Sequence, residues 1–132
     1  MKNERFMTMV DELLKEVVDT LDRKSMEYST PDERFMTMVD ELLKEVVDTL
    51  DRKSMEYSTP DERFHNFDLV AGLLGCNREQ AIYMLSTKHI VSIRDAVMQC
   101  VPLTMDEVRE KVTDTIAYML LLYAAMYEAR KG

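Results

Sequence analysis

The sequence predicts an all-α fold, an antiparallel bundle of about five helices in a single domain over residues 1–132, with the first helix present twice. Glycine and proline each occur only three times, which disfavours a sheet built on tight turns. Apolar residues recur at intervals of three and four positions, as they do on one face of a helix. Helix-capping residues precede most of these apolar segments, and the connections between them are short.

The first helix is repeated without a change. Residues 4–32 and residues 33–61 are identical, and residues 62–64 begin a third copy before the sequence diverges. Repeat folds drift in sequence and need about three or more units, so two identical copies indicate a recent or deliberate duplication. We therefore expect the working domain to need one copy plus residues 64–132. The other copy would then be an added helix.

Within each copy the apolar residues form a stripe along one helix face, opposite a charged face. In the first copy the stripe consists of Phe6, Met9, Val10, Leu13, Leu14, Val17, Val18 and Leu21. Each copy ends in Ser-Thr-Pro-Asp, so Thr30 and Thr59 are predicted N-caps, each followed by a proline at the first helical position. The residue before a proline disfavours helical geometry, so the helices should break at Pro31 and Pro60.

The remaining sequence predicts three further helices, Pro60–Leu74, Asn77–Cys100 and Thr104–Arg130. Gly75 ends the first of them, and capping boxes at Asn77–Gln80 and Thr104–Glu107 open the other two. The last helix is apolar on nearly all sides over residues 116–126. It should therefore be the central helix of the bundle.

The charge and cysteine content exclude several classes of partner. The formal net charge is -8, and the presence of a second copy of the repeated segment accounts for half of it. Such a chain has no basic stripe with which to bind duplex DNA or RNA. The longest apolar run, residues 116–127, is too short to span a membrane. Cys76 and Cys100 lack metal-ligand spacing, which favours two reduced thiols in a cytoplasmic protein.

Three charged residues in the last two predicted helices are candidates for chemistry. Lys88 and Asp95 lie on one helix, and Asp114 enters the most apolar part of the chain, where a carboxylate needs a partner. One interpretation is a structural ion-pair network that joins the two helices. The other is a site for a metal and a phosphate, because carboxylates bind Mg²⁺ and lysine neutralises phosphate.

An ordered set of short motifs runs from the second copy to the last helix. The residues are Asp51, Arg52, Lys53, Glu56, Tyr57, Arg63, Phe64, Asn66, Phe67, Lys88, His89, Val91, Ser92, Ile93, Asp95, Asp114 and Tyr118. This set resembles small phage-encoded all-helical proteins that are described as MazG-like or as nucleotide-modification-associated. Their wider superfamily comprises all-α nucleoside triphosphate pyrophosphohydrolases.

The resemblance implies a nucleotide as ligand and Mg²⁺ as cofactor, in the cytoplasm of a host cell if the chain is phage-encoded. It implies that Lys88, Asn66 and Arg63 bind the nucleotide and that Asp95 and Asp114 bind the metal. Members of the superfamily cleave between the α and β phosphates. Their usual metal motif, Glu-Glu-x-x-Glu followed by Glu-x-x-Asp, is not present in this sequence. Binding without hydrolysis therefore stays open, and no catalytic residue is assigned.

Two non-enzymatic functions are also consistent with the sequence. The chain could contact a host protein through its helices, or it could be an engineered scaffold in which the duplication is the purpose. In either case the stripe Phe6–Leu21 of the first copy has no assigned partner, and leaving it in water would be unfavourable. We therefore expect a homodimer or larger assembly with Phe6–Leu21 at the subunit interface.

Overall fold

The computed structural model describes residues 1–28, 33–57, 62–98 and 102–131. These residues form five helices and no strand: α1 (Asn3–Tyr28), α2 (Glu33–Tyr57), α3 (His65–Leu74), α4 (Arg78–Val97) and α5 (Met105–Lys131). The predicted all-α bundle is confirmed. None of these helices is both long enough and apolar enough to cross a membrane.

The starts of α4 and α5 are the predicted capping boxes. The Asn77 side chain accepts a hydrogen bond from the Gln80 backbone N–H at 2.8 Å, and the Gln80 side chain accepts one from the Asn77 N–H at 3.0 Å. Thr104 and Glu107 form the same reciprocal pair at the start of α5. Gly75 follows α3 in the left-handed conformation, with φ of 71°, as a helix-ending glycine should. The predicted caps Thr30 and Thr59 lie outside the described residues, as does Cys100. Cys76 is a free thiol.

The start of α3 differs from the prediction. The helix begins at His65 and not at Pro60, because residues 62–64 form a turn. The backbone N–H of Arg63 donates to the carbonyl of Met1 at 2.8 Å, and the N–H of Phe64 donates to the Glu62 carboxylate at 3.0 Å. These donors are bound outside a helix, so the turn is stabilised by the beginning of the chain.

Helix α5 is central, as its apolar sequence predicts, because it packs against α4, α2 and α1. Helices α1 and α2 pack together across a four-residue connection, so they run antiparallel. Helices α2 and α5 run in the same direction. Glu45 forms an ion pair with Arg109, and farther along both helices Lys53 and Asp114 line one cavity.

The two identical copies bury different halves: α1 buries its first half and α2 buries its second half. We call residues at the same position in the two copies twins. Phe6 in α1 is 0% exposed, whereas its twin Phe35 in α2 is 43% exposed. At the other end of the copies the residue of α2 is the buried one: Val46 is buried, whereas its twin Val17 in α1 is exposed. The core therefore takes the first half of α1 and the second half of α2.

The connectivity explains this division. In an antiparallel hairpin the start of α1 lies beside the end of α2, and that end leads into the rest of the bundle. Arg63 fixes this arrangement, because its guanidinium donates to Asn3 Oδ1 at 2.8 Å and to the Leu50 carbonyl at 2.9 Å. The expectation that the stripe of the first copy lacks a partner in its own chain is wrong. The first half of that stripe lies in the core.

The copies also contact each other through equivalent positions. The groove between α1 and α2 is lined by five pairs of twins, Asp11/Asp40, Leu14/Leu43, Lys15/Lys44, Val18/Val47 and Asp19/Asp48. The two helices therefore pack with the same face of the sequence toward each other. The apolar twins are buried or half-buried, and the charged twins are exposed. Such a contact within one chain has the character of a twofold contact between two identical subunits.

A pair of substitutions at twin positions tests this division of the core. We expect Phe6→Ala to lower the free energy of unfolding by about 3–5 kcal/mol, the usual cost of removing a buried phenylalanine. Phe35→Ala should cost roughly 1–2 kcal/mol, because its side chain is already partly in water. The measurement is urea unfolding followed by circular dichroism. Equal losses at the two positions would contradict the complementary burial.

Candidate functional site

A cavity of about 290 Å³ opens between α2, α3, α4, α5 and the turn before α3. Its lining combines charged, amide, aromatic and aliphatic side chains: Lys53, Arg63, Asn66, Phe67, Val70, Leu85, Lys88, Asp114, Ala117, Tyr118 and Leu121. A concave apolar surface with a few convergent polar groups is the usual form of a small-molecule site. The volume is close to the lower end of the range of about 300–1,000 Å³ for such sites.

The charge of the lining is opposite to the charge of the chain. Lys53, Arg63 and Lys88 contribute three cationic groups, and Asp114 contributes one carboxylate. The chain as a whole has a formal charge of -8. A cationic cavity in an acidic protein attracts anions locally, since a cleft with low-dielectric walls concentrates the field of its charges.

Arg63 is the most constrained of the three cations. Its side chain is buried, its guanidinium lies 4.4 Å from the centre of the Phe6 ring, and burial lowers its pKa to about 10. Two of its donors are bound to Asn3 and to the carbonyl of Leu50. Arg63 therefore forms a fixed wall of the cavity and holds α1 against α2. Lys88 is exposed and carries its charge at the end of a long, flexible side chain.

Two aromatic rings form another part of the wall. Phe67 of α3 and Tyr118 of α5 meet edge to face, with ring centres 6.4 Å apart and an angle of 73° between the planes. Asn66 precedes Phe67 on α3 and lines the same cavity. An aromatic face and an amide together can stack against a planar heterocycle and form hydrogen bonds with its edge.

His89 lies behind this wall, next to Asp114. It is 8% exposed, and its ring lies against Tyr118 with 5.4 Å between the ring centres. Its Nδ1 is 3.9 Å from Asp114 Oδ2, beyond hydrogen-bond distance, and has no hydrogen-bond partner in the part of the chain that the structure describes. Burial lowers the pKa of His89, and Lys88, Lys111 and Lys53 lower it further, while Asp114 opposes the shift.

The structure brings four of the five predicted site residues together. Lys88, Asn66, Arg63 and Asp114 all line the cavity, although they come from three helices and a turn. Asp95 is not one of the lining residues and lies 3.3 Å from Arg94 on its own helix. Asp95 lies about 10 Å farther along the axis of α4 than Lys88, and the cavity is lined on α4 by Leu85 and Lys88.

Neither of the larger arrangements that the sequence suggested is formed within the described residues. No ion pair within 4.0 Å joins Lys88 to Asp95 or to Asp114 there, so the structural network is absent from that part of the chain. No group of three or more His, Cys, Asp or Glu side chains in the same residues could hold a metal ion by itself. A metal at Asp114 would need ligands from a bound molecule as well as from the protein.

The positions of two residues at the candidate site, His89 and Lys53, were not evident from the sequence. His89 is one of the motif residues and has no role assigned from the sequence, but it is buried beside the candidate metal ligand with Nδ1 unbonded. Lys53 belonged to the resemblance without an assigned role. Its twin Lys24 is exposed, whereas Lys53 lines the cavity, and nothing in two identical segments distinguishes them.

Comparison of the chain with protein-family models, with curated proteins and with solved structures finds no match. The functional argument therefore depends on the geometry of the cavity.

The burial of His89 predicts a pH-dependent stability. An imidazole in the unfolded chain takes up a proton near the usual pKa of 6.5, whereas buried His89 does so only at lower pH. The unfolded state then binds more protons in this window, so the free energy of unfolding should decrease as the pH falls below about 6.5. We expect His89→Asn to flatten this slope, measured as urea unfolding between about pH 7 and pH 5.

His65, which is exposed at the start of α3, provides the control. The variant His65→Asn should keep the wild-type slope. A general loss of stability in His89→Asn would lower the whole curve and leave its slope unchanged, so the two effects are separable. Equal slopes in wild type and in both variants would show that His89 does not cause the pH dependence.

Proposed function

We propose that the cavity binds a nucleotide, with the base in the aromatic part and the phosphates at the lysines. The observation that carries this proposal is the composition of the lining, which joins Lys53 and Lys88 to the rings of Phe67 and Tyr118 and to the amide of Asn66. A phosphate site alone does not need the aromatic wall, and a site for an apolar molecule does not need the lysines.

The phosphate end of the proposed complex uses Lys88 first. Its side chain is exposed at the opening, and lysine neutralises a phosphate as a flexible point charge. Lys53 reaches the same cavity from α2. Arg63 adds its charge from a fixed position, because its guanidinium is already bound to Asn3 and Leu50. Its role in the proposal is electrostatic and not a bidentate contact with a phosphate.

The base end uses α3 and α5. Tyr118 and Phe67 present ring surfaces to a heterocycle, and Asn66 presents both a donor and an acceptor to its edge. An asparagine side chain can form two hydrogen bonds with one edge of adenine, so an adenine nucleotide is the first probe to try. Val70 and Leu121 complete an apolar surface against which a base can be desolvated.

The lining also fits Mg²⁺, provided that the nucleotide supplies part of its coordination. Proteins usually hold Mg²⁺ through one or two carboxylates together with water and substrate phosphates, and Asp114 is a carboxylate in the same cavity as the lysines. The metal would neutralise phosphate charge there. The proposal does not include Asp95 as a second ligand, because Asp95 is not one of the residues that line the cavity.

We assign binding, and not hydrolysis, to the cavity. Cleavage between phosphates needs a group that activates water as well as a metal ligand. Among the residues that line the cavity, Asp114 is the one carboxylate, and the proposal already uses it for Mg²⁺. The pyrophosphohydrolase activity that the resemblance implies would therefore need further residues.

A thermal-shift experiment tests the proposal. A ligand that binds only the folded state raises the melting temperature, by roughly 10 °C for a chain of this length at about a hundred times its Kd. We expect adenine nucleotides to do so, more strongly with Mg²⁺ than without it. Lys88→Ala should reduce the shift in both conditions, because it removes phosphate neutralisation. Asp114→Asn should remove mainly the part that depends on Mg²⁺.

Asp95→Asn is the matched control, since it removes a carboxylate from the same pair of helices outside the cavity and should keep the wild-type shift. Adenosine and inorganic phosphate, tested separately, report on the two halves of the cavity. An undiminished shift in both Lys88→Ala and Asp114→Asn would refute the site. A full shift with phosphate alone would refute the role of the base.

A further inference from the structure

A second, smaller cavity of about 130 Å³ lies between α1 and α5. This α1–α5 cavity is lined by two carboxylates, two tyrosine rings and two apolar side chains: Glu12, Glu16, Tyr123, Tyr127, Met9 and Leu13. None of these residues lines the candidate nucleotide cavity. The charge of the lining is also opposite, because here two carboxylates face the cavity and no cationic side chain belongs to the lining.

The two carboxylates of the α1–α5 cavity lie close together. Glu12 and Glu16 are exposed and are four residues apart, so they share one face of α1. Like charges at this spacing repel each other. Within the described residues, neither of them forms an ion pair within 4.0 Å. A cation bound between them would remove the repulsion.

The two tyrosine rings are a second group that attracts cations. The ring centres of Tyr123 and Tyr127 are 6.4 Å apart, with 38° between the planes, and Tyr123 is 43% exposed. The face of an aromatic ring attracts a cation within about 6 Å of its centre. Lys131 already shows this attraction, because its Nζ lies 5.7 Å from the centre of the Tyr127 ring. Lys131 is not one of the residues that line the cavity.

The second copy of the repeat shows which cation the same helix face binds. The twins of Met9, Glu12 and Leu13 line a groove between α2 and α5 together with Arg109 of α5. Glu45, the twin of Glu16, forms an ion pair with that arginine. The same face of the repeated helix therefore meets α5 twice. At α2 the helix α5 supplies a guanidinium group, and at α1 it supplies two tyrosine rings and leaves a cavity.

A guanidinium group also suits this lining better than an ammonium group does. Its planar fork can donate two hydrogen bonds to a carboxylate, and its flat face stacks on aromatic rings. Guanidinium groups stack in this way elsewhere in the chain. Arg63 lies 4.4 Å from the centre of the Phe6 ring, and Arg78 lies 4.5 Å from the centre of the Phe64 ring.

We propose that the α1–α5 cavity binds a guanidinium group of another molecule. The carboxylates of Glu12 and Glu16 accept its hydrogen bonds, and the rings of Tyr123 and Tyr127 contact its flat face. The group belongs either to a small guanidino compound or to an arginine side chain of a polypeptide, since both present the same chemistry. Exposed ion pairs and cation–π contacts are individually weak, so we expect a dissociation constant on the order of 1 mM.

A titration with N-acetyl-arginine amide tests the proposal, followed by NMR of methionine methyl groups labelled with carbon-13. Met9 lines the cavity and its signal should shift in a saturable way, whereas that of its twin Met38 should not. The double change Glu12→Gln and Glu16→Gln should raise the dissociation constant at least about fivefold. Tyr123→Leu should raise it about two- to fivefold.

The double change Glu41→Gln and Glu45→Gln is the matched control. It makes the same substitutions in an identical helix and changes the net charge by the same amount, so it should leave the dissociation constant unchanged. All four glutamates are exposed, and circular dichroism should show unchanged helicity. An undiminished affinity after the change of Glu12 and Glu16, or an equal loss in the control, would overturn the site.

Further probes test the chemistry and the source of the group. The corresponding citrulline amide, which has the shape without the charge, should not shift Met9, and the lysine amide should bind more weakly. Equal binding of either one would overturn the assignment to a guanidinium group. A glycine peptide with one central arginine that binds as well as the amide supports a polypeptide partner. If that peptide fails while the amide binds, the result supports a small guanidino compound.

Discussion

The structure depends on one constraint of connectivity: two identical helices, joined by four residues, must pack antiparallel and so present opposite halves to the same core. Only the start of α1 and the end of α2 reach the apolar face of α5 where the core cluster forms. Arg63 holds these two ends together from the turn before α3, with bonds to Asn3 and Leu50. Whether a residue of either copy is buried therefore depends on its place in the hairpin, because the sequence around it is the same in both copies.

This constraint explains how far the sequence predicts the fold. The starts of α4 and α5 were predicted correctly, because Asn77–Gln80 and Thr104–Glu107 are local signals that act within one turn. The start of α3 was not, because Arg63 binds the carbonyl of Met1 at the other end of a long stretch of chain. The division of burial between the copies was beyond any local pattern, since identical segments carry identical signals. Their environments differ only in the tertiary structure.

The residues of the candidate site were also predictable from the sequence only in part. The order of motifs selected Lys88, Asn66, Arg63 and Asp114, and these residues meet in one cavity. Asp95 was selected from the same helix as Lys88, but a separation of two helical turns takes it away from the cavity. The surroundings of His89 do not follow from the sequence. Its burial arises from the packing of Tyr118 and Asp114 on the neighbouring helix, which no pattern on α4 reveals.

The two halves of helix α2 lie in different surroundings. Its second half supplies core residues such as Leu50 and the cavity residue Lys53, whereas Phe35 and Met38 in its first half are exposed. The copy that completes the site is thus the second one. The first copy fills the core with Phe6, and the buried residues of the core cluster that come from α2, Val46 and Leu50, lie in its second half, so the twin of Phe6, Phe35, remains partly exposed.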